Sequence, residues 1–379
     1  MKVLITGSKG FIGKNLLARL AYEKDIKLFE FDIENKSCDL EHFINEAEVI
    51  FHLAGINRPE KEEEFKTGNV ELTNLICDHL ERLGRKPTVV FSSSIQAGVE
   101  NPYGRSKKAA EDILINWADK GNGRAVIFRL KNVFGKWCRP NYNSVVATFC
   151  HNISHNLPIV INDTERVLEL VYIDDVVEGF IHIINELRNS QERYHDVKSY
   201  EFREIPRYFS ITVGELANKL KRFHESRKKL LAPDFSDDFE RFLYATFISY
   251  YDLEDISISL ENKVDERGTL AEALKSREFG QIFVLRINPG QTRGNHFHHT
   301  KIEKFLVLEG QAHLKLKNID NGTSAVFRLS SDRLQLIEIP PGYSHSIENI
   351  GSTPVIVLVW ANEIFNQARP DTFYYEVKS

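Results

Sequence analysis

Val3-Leu4-Ile5-Thr6-Gly7-Ser8-Lys9-Gly10-Phe11-Ile12-Gly13 lies at the start of the chain and decides how its first half folds. An apolar run long enough for one buried strand leads straight into a loop with Gly7, Gly10 and Gly13, and helix-forming residues follow. Glycines at such a junction let the backbone approach a pyrophosphate, which then sits on the unpaired N–H groups of the helix start. Glycine turns between strand and helix are common, and it is the position directly after the first strand that gives this one weight. Further along, residues 27–31, 49–53, 88–92 and 125–129 read as buried strands, and segments 14–22 and 69–83 carry apolar residues at helical spacing. This alternation predicts an α/β fold with a Rossmann-type, doubly wound parallel sheet. The stretch 211–250, helix-like and polar on one face, closes a first domain at residues 1–250.

Beyond residue 260 the texture changes. Short alternating runs at 281–288, 304–309, 311–317, 335–339 and 355–360 are punctuated by Gly, Pro and Asn. They predict an all-β antiparallel sandwich or barrel over residues 260–379. The chain has 379 residues, 42% hydrophobic and 27% charged, with a net charge of −5. That composition supports two folded domains and argues against a nucleic-acid partner or a membrane surface. Cys38, Cys77, Cys138 and Cys150 lack a paired spacing and read as reduced thiols. The apolar start is too short for a signal peptide, and no run approaches the ~18 residues of a membrane helix. A cytoplasmic protein is expected.

Further motifs follow the glycine loop in order: Asp39-Leu40, His52-Leu53-Ala54-Gly55, Asn69-Val70, Ser92-Ser93-Ser94, Tyr103-Gly104-Arg105-Ser106-Lys107, Arg129 to Gly135, and Tyr172-Ile173-Asp174-Asp175. Together they resemble the extended short-chain dehydrogenase/reductase family, which acts largely on nucleotide sugars. The resemblance implies cofactor contacts from Gly7, Lys9, Gly10, Phe11, Ile12, Gly13 and Asp32. It adds Asp39 and Leu40 at the adenine, Leu53, Ala54 and Gly55 at the motif that closes the family's fourth strand, and Asn69. Many relatives carry an arginine near Leu168; here that site is apolar, so a phosphate contact falls to Arg166 or is missing.

The same resemblance makes Ser94, Tyr103 and Lys107 catalytic. Reducing a ketone builds an alkoxide that needs a placed proton donor. Tyr103 would donate, Lys107 one turn along would lower the phenol's pKa and hold the nicotinamide ribose, and Ser94 would bond the substrate oxygen. Taken alone, Tyr103 would pass for a core aromatic and Lys107 for a solvated helix residue. Ser93 and Asn132 are the implied substrate contacts, with loop capping the alternative for Asn132. Ile95-Gln96 stands where a dehydratase needs acidic residues, which excludes that reaction. Asp32 would grip the ribose 2′-hydroxyl of NAD(H), whereas Lys9 could meet a 2′-phosphate. The family resemblance and Lys9 together favour NADP(H) over NAD(H).

In the second domain, Gly290 to Gly310 fits G-x5-H-x-H-x4-E-x6-G, and Pro340 to Asn349 fits P-x-G-x-x-H-x-x-x-N. This is the cupin (jelly-roll) signature, with Leu334 where a glycine is usual. His296 and His298 on one strand, with Glu303 and His345 on neighbouring strands, would hold one divalent metal. An imidazole-rich set suits zinc, iron, nickel or copper, zinc above all. Exposed hairpin histidines are the bland alternative.

A reductase of this kind followed by a cupin is similar to bifunctional capsular polysaccharide enzymes. The similarity implies a UDP-4-keto amino sugar substrate and a homodimer. The cupin would epimerise C3 of a UDP-2-acetamido-2,6-dideoxy-4-hexulose, and the reductase would then reduce C4, giving UDP-2-acetamido-2,6-dideoxy-L-talose en route to UDP-N-acetyl-L-fucosamine. The order is chemical, since the C3 proton is acidic only while C4 is a ketone. His299 and Tyr343 lie nearest in sequence to the metal ligands as candidate bases. The alternative is a C4 reductase of a related UDP-4-keto sugar whose cupin only binds substrate or supports the structure.

Overall fold

The computed structural model describes residues 1–59, 61–189 and 198–377. The chain divides into two compact units, one of residues 1–221 with 242–251 and the other of 222–241 with 252–379. The first unit runs β1 (Lys2–Thr6), α1 (Phe11–Leu20), β2 (Lys27–Phe31), α2 (Ser37–Glu46), β3 (Val49–His52), the short α3 (Glu63–Phe65), a π turn (Lys66–Glu71) and α4 (Leu72–Leu83). It continues through β4 (Thr88–Ser94), α5 (Pro102–Trp117), β5 (Arg124–Leu130), β6 (Asn132–Phe134), α6 (Val145–Ser154), β7 (Val167–Tyr172) and α7 (Ile173–Asn189). After β8 (Tyr200–Arg203) and β9 (Phe209–Thr212) come α8 (Val213–Lys228) and α9 (Asp238–Ile248), each of which has residues in both units.

The main sheet has strand order β2-β1-β3-β4-β5-β8, parallel throughout. Its central strands β1, β3 and β4 read as near-continuous apolar runs because helices cover both faces. Alternate residues divide between two cores: Val3, Ile5, Phe51 and Phe128 on one face, Leu4, Ile50, Phe91 and Ile127 on the other. Burial of each such side chain contributes about 1.5–3 kcal/mol. Chain order reverses at β1 and β3, and a doubly wound sheet opens its ligand crevice at the strand ends beside such a switch. Between β2 and β3 the chain makes only α2. Leu53 to Gly55 therefore follow the third strand of this sheet, where the family pattern predicts the fourth.

The second unit is an antiparallel sandwich. Its strands are β10 (Asn262–Asp265), β11 (Gly268–Ser276), β12 (Gly280–Ile287), β13 (Thr292–Phe297), β14 (Glu303–Glu309), β15 (Gln311–Asn318), β16 (Ser324–Ser330), β17 (Leu336–Ile339), β18 (Tyr343–Asn349), β19 (Val355–Ala361) and β20 (Phe373–Tyr374). One sheet is ordered β10-β11-β12-β19-β14-β17 and the other β16-β15-β18-β13-β20. The core between them takes every second residue, as Val355, Val357 and Val359 of β19 illustrate. Leu230 and Ala232 bond the backbone of Lys275, which ties the 222–241 segment to β11. Among the described residues, no helix is long and apolar enough to cross a membrane.

Candidate active site and metal centre

The glycine loop leaves β1 at the switch point. Gly7 has φ +69°, and a Cβ there would stand 2.6 Å from the Ala54 nitrogen, so only glycine fits. A Cβ on Gly13 would lie 2.2 Å from the Gly7 carbonyl oxygen. Gly10 is the N-cap of α1; no side chain caps it and no acid occupies its first turn, formed by Phe11 and its neighbours Ile12 and Gly13. The positive end of the helix dipole thus faces the loop. Lys9 N–H donates to Asp32 Oδ2 at 2.7 Å, while the Lys9 ammonium pairs with Glu34. Asp32 Oδ1 also accepts the Ile33 N–H at 2.8 Å. Asp39 is the N3 residue of a capping box on α2, accepting the Lys36 N–H, and Leu40 is fully buried beneath it. Leu168 is buried on β7 and Arg166 is exposed just before it.

The loop after β3 is held from two sides. His52 is fully buried, and burial, helped by the Lys107 charge, pushes its pKa down to about 3. The Thr73 hydroxyl donates to the Asn69 carbonyl, so at 3.0 Å it accepts the His52 Nε2–H. His52 Nδ1 then accepts from the Thr6 hydroxyl at 2.8 Å. Beyond it, the Leu53 N–H bonds the Thr6 carbonyl and the Ala54 N–H the Thr6 hydroxyl. Asn69, buried in the π turn, accepts the Ile56 N–H at 2.8 Å and donates to the Ile56 carbonyl and to Ser106 Oγ, both at 2.9 Å. The loop is thereby tied to α5, and a Cβ on Gly55 would stand 3.2 Å from Lys107 Nζ.

Tyr103 and Lys107 lie on the face of α5 that meets the end of β4. Ser94 stands beside Tyr103, where its hydroxyl accepts the Gln96 N–H at 3.2 Å; burial pushes the phenol up to about 12, with Ser94 acting against it. Lys107 is buried, donates to the Ser92 carbonyl at 3.0 Å, and is pushed down to about 8 by burial. Ser93 meets the same helix two turns further along. Its hydroxyl donates to the buried Glu111 at 2.6 Å, so the structure does not bring it to Tyr103. Asn132 sits exposed on β6, in a different sheet, and its amide donates to the Glu169 carbonyl at 3.1 Å.

In the second unit, His296, His298, Glu303 and His345 offer ligand atoms that all lie within 4.8 Å of one another. The strand arrangement differs from the predicted one. His296 pairs with His345 across β13 and β18, but β13 ends at Phe297, and Glu303 opens β14 in the opposite sheet. The carboxylate thus reaches the histidines across the sandwich interior. The register shift between Gly294 and His296 turns the strand here; Asn295 has φ +58°, and a Cβ on Gly294 would lie 2.6 Å from the His345 carbonyl oxygen. Leu334, at the missing glycine, is not among the positive-φ residues, so its turn needs none.

The donor set fits a cation. His298 Nδ1 lies 2.5 Å from the Asp371 carbonyl, which can only accept, so this nitrogen carries the proton. The lone pair of Nε2 then faces Glu303 Oε2 at 3.4 Å, acceptor against acceptor, and Nε2 has no hydrogen-bond donor. Burial holds His296 down at about 4, hence neutral. The cluster lines a cavity of about 410 Å³, together with Lys263, Arg267, Glu272, Arg293 and Lys301. Neither His299 nor Tyr343 lines it. His299 is exposed against the Phe297 and Phe373 rings, and Tyr343 packs on the core.

Sequence reading missed two residues that buttress these sites. Glu111 lies four residues after Lys107 and eight after Tyr103, a helical spacing that could have revealed it. Asp371 carries no local signal. Its carboxylate accepts the N–H groups of His299, Thr300 and Lys301, each at 3.0 Å, from 70 or more residues away in sequence.

Residues 3–195 match the NAD dependent epimerase/dehydratase family, and residues 263–373 the polysaccharide biosynthesis C-terminal domain. The chain is 42% identical over 374 residues, 98% of each protein, to UDP-2-acetamido-2,6-beta-L-arabino-hexul-4-ose reductase of Pseudomonas aeruginosa. It is 28% identical over 226 residues, 47% of this chain and 71% of the other, to dTDP-4-dehydro-6-deoxyglucose reductase of Escherichia coli. Its fold matches the crystal structure of capsular polysaccharide assembling protein CapF from Staphylococcus aureus at a TM-score of 0.90, with 40% identity and full coverage of both chains.

Proposed function

Because the chain belongs to the NAD dependent epimerase/dehydratase family, we propose that it is a bifunctional nucleotide-sugar enzyme of surface polysaccharide biosynthesis. The first unit is an NAD(P)H-dependent reductase of a UDP-4-keto amino sugar, as the Pseudomonas aeruginosa relative is named. The second unit epimerises C3 of the UDP-2-acetamido-2,6-dideoxy-4-hexulose beforehand, and the reduced product is UDP-2-acetamido-2,6-dideoxy-L-talose, en route to UDP-N-acetyl-L-fucosamine. One observation carries this reading: Ser94, Tyr103 and Lys107 stand together at the end of β4, beside a glycine loop with an uncapped helix.

The nicotinamide cofactor, when bound, supplies the hydride for C4. The Tyr103 phenol, held protonated by burial, hands a proton to the developing alkoxide. Ser94 shares that oxygen, and Lys107 holds the ribose and offsets charge left on Tyr103. Asn132 contacts the diphosphate. The proposed preference for NADP(H) rests on Lys9, which exchanges its exposed partner Glu34 for the 2′-phosphate. In the cupin unit, His296, His298, Glu303 and His345 hold one divalent ion, zinc by their chemistry, which when bound polarises a ketone as a Lewis acid. The base that takes the C3 proton belongs to the cavity lining, which removes His299 and Tyr343. The enzyme works as a homodimer.

The test is incubation with the UDP-4-keto sugar in heavy water, with NADPH, NADH or no cofactor, followed by NMR. Deuterium should enter C3 without cofactor, and C4 should become an alcohol only with it. Reduction without C3 exchange would leave the cupin a binding or structural part; no reduction with either cofactor would remove the reductase assignment.

A further inference from the structure

Each of the three consecutive serines that end β4 is met by one residue of α5. Lys107 Nζ bonds the Ser92 carbonyl at 3.0 Å, the Ser93 hydroxyl bonds Glu111 Oε1 at 2.6 Å, and Ser94 stands beside Tyr103. Tyr103, Lys107 and Glu111 recur every four residues and share one face of the helix. The proposed reduction uses the first two and leaves Glu111 without a task.

Glu111 is fully buried, a place carboxylates almost never take unless paired. Arg129, opposite Ser93 in the β4–β5 register, bonds it in bidentate fashion, Nε to Oε1 at 2.9 Å and Nη2 to Oε2 at 2.6 Å. The guanidinium in turn lies 4.6 Å over the Phe202 ring. If its only task were to attach helix to sheet, apolar side chains would serve as well, because a buried ion pair seldom out-stabilises them. Ala110 and Leu114, its neighbours on α5, already pack that way. The charge stands where it matters to Lys107.

We propose that Glu111 is a positioning residue for the reduction: through Ser93 it fixes the end of β4 so that Ser94 faces Tyr103, and it lays a negative charge one helical turn from the Lys107 ammonium. The inference rests on the reductase reading above. Lys107 faces neutral His52 from β3, Gly55 from the loop beyond it, the Phe91 ring and Ser92 carbonyl from β4, and Tyr103 and Glu111 on its own helix. Asn69 reaches into the same corner from the π turn, and Arg129 of β5 acts on Lys107 through Glu111. Glu111 is the acid in this set, and it opposes the burial that pulls Lys107 down to about 8.

Glu111→Gln keeps the size and an acceptor for Ser93 and removes the charge. An activity that needs charged Lys107 is held below the lysine's pKa and lost as pH rises through it. In the pH profile of kcat, the alkaline limb of E111Q should therefore move down by ~0.5 unit or more. At neutral pH kcat should fall about 10- to 100-fold, with KM for the sugar within about twofold. Arg129→Met leaves the buried carboxylate unpaired, so that it takes up a proton, and should move the limb down as E111Q does, which tests the idea even if E111Q folds poorly. The pH dependence of NAD(P)H binding, followed by nicotinamide fluorescence without sugar, should shift in the same direction. A wild type that binds cofactor but reduces no sugar sinks the reductase reading, and the binding curves still decide the role of Glu111. Limbs and binding curves unmoved in both variants, whatever their melting temperatures, would make Glu111 a purely structural residue.

Discussion

The glycine loop of the first unit is a site made of backbone, whereas the cluster of the second is made of side chains. In the loop, Gly7 and Gly13 matter for what they lack, since a Cβ on either would collide with main-chain atoms. In the cluster, His296, His298, Glu303 and His345 matter for the atoms they bring. Their supports differ as well. The loop is braced by main-chain bonds to the Phe31 carbonyl and within itself, with the Asp32 carboxylate accepting the Lys9 N–H, but His298 takes its tautomer from Asp371, 73 residues along the chain. A backbone site tolerates most side-chain changes around it; a side-chain site fails with its ligands or with whatever orients them.

The largest effect should come where both kinds of site are bypassed and only the reacting proton is removed. Tyr103→Phe should lower ketone-dependent oxidation of NAD(P)H by about 10²- to 10⁴-fold, because the proton donor is lost. Cofactor affinity, measured by fluorescence, should stay within a few-fold, since the loop and α1 are untouched. Wild-type turnover in this variant would remove Tyr103 from the chemistry altogether.

The cluster should be the more fragile to single substitutions. His298→Ala should cut bound divalent metal, read by elemental analysis of the purified protein, and should stop C3 exchange or lower the melting temperature of the C-terminal unit. C4 reduction should survive, since the residues proposed for it all lie in the first unit. Unchanged metal content would overturn the ligand set, and loss of both activities together would show that the two units do not work independently. A smaller effect is expected one contact further out. Asp371→Ala keeps the carbonyl that faces His298 but frees it from three N–H groups. Metal affinity should drop by about 10- to 100-fold, the usual loss when an orienting partner goes. An unaltered affinity would mean that the strand alone aims the imidazole.

Much of this was legible in the sequence because the two textures differ in period. Continuous apolar runs gave the buried parallel strands, and alternation gave the sandwich. The strands β6 to β9 went unread, since β6, β8 and β9 have only three or four residues, too few for periodicity, and the pairing of all four depends on the rest of the sheet. Among site residues, the glycines, Tyr103, Lys107 and the histidines sit at fixed local spacings. Ser93 illustrates the limit: beside Ser94 in sequence, it meets α5 at Glu111 rather than at Tyr103, and only Glu111 reveals why a hydroxyl is there. Glu303 illustrates another, because spacing brought it into the candidate cluster but did not name the sheet it comes from.

The smallest expected effect tests whether side chains matter at the backbone site at all. Lys9 and Asp32 pulled the cofactor reading in opposite directions, and the structure gives both of them partners within the loop. The ammonium pairs with Glu34 on the surface, and the Asp32 carboxylate accepts the N–H groups of Lys9 and Ile33. An exposed ion pair exchanges readily for another anion, so a 2′-phosphate can recruit Lys9, whereas Asp32 would have to give up main-chain bonds to turn away. Lys9→Ala should accordingly weaken NADPH several-fold and leave NADH nearly unchanged, as charge-assisted contacts to phosphate predict. Asp32→Ala should weaken both cofactors, because the loop loses its brace, and should improve NADPH relative to NADH. Titration of each variant with both dinucleotides by fluorescence reads these ratios. Equal responses of NADPH and NADH to both substitutions would show that neither side chain meets the 2′ position, leaving the loop a site built from main chain alone.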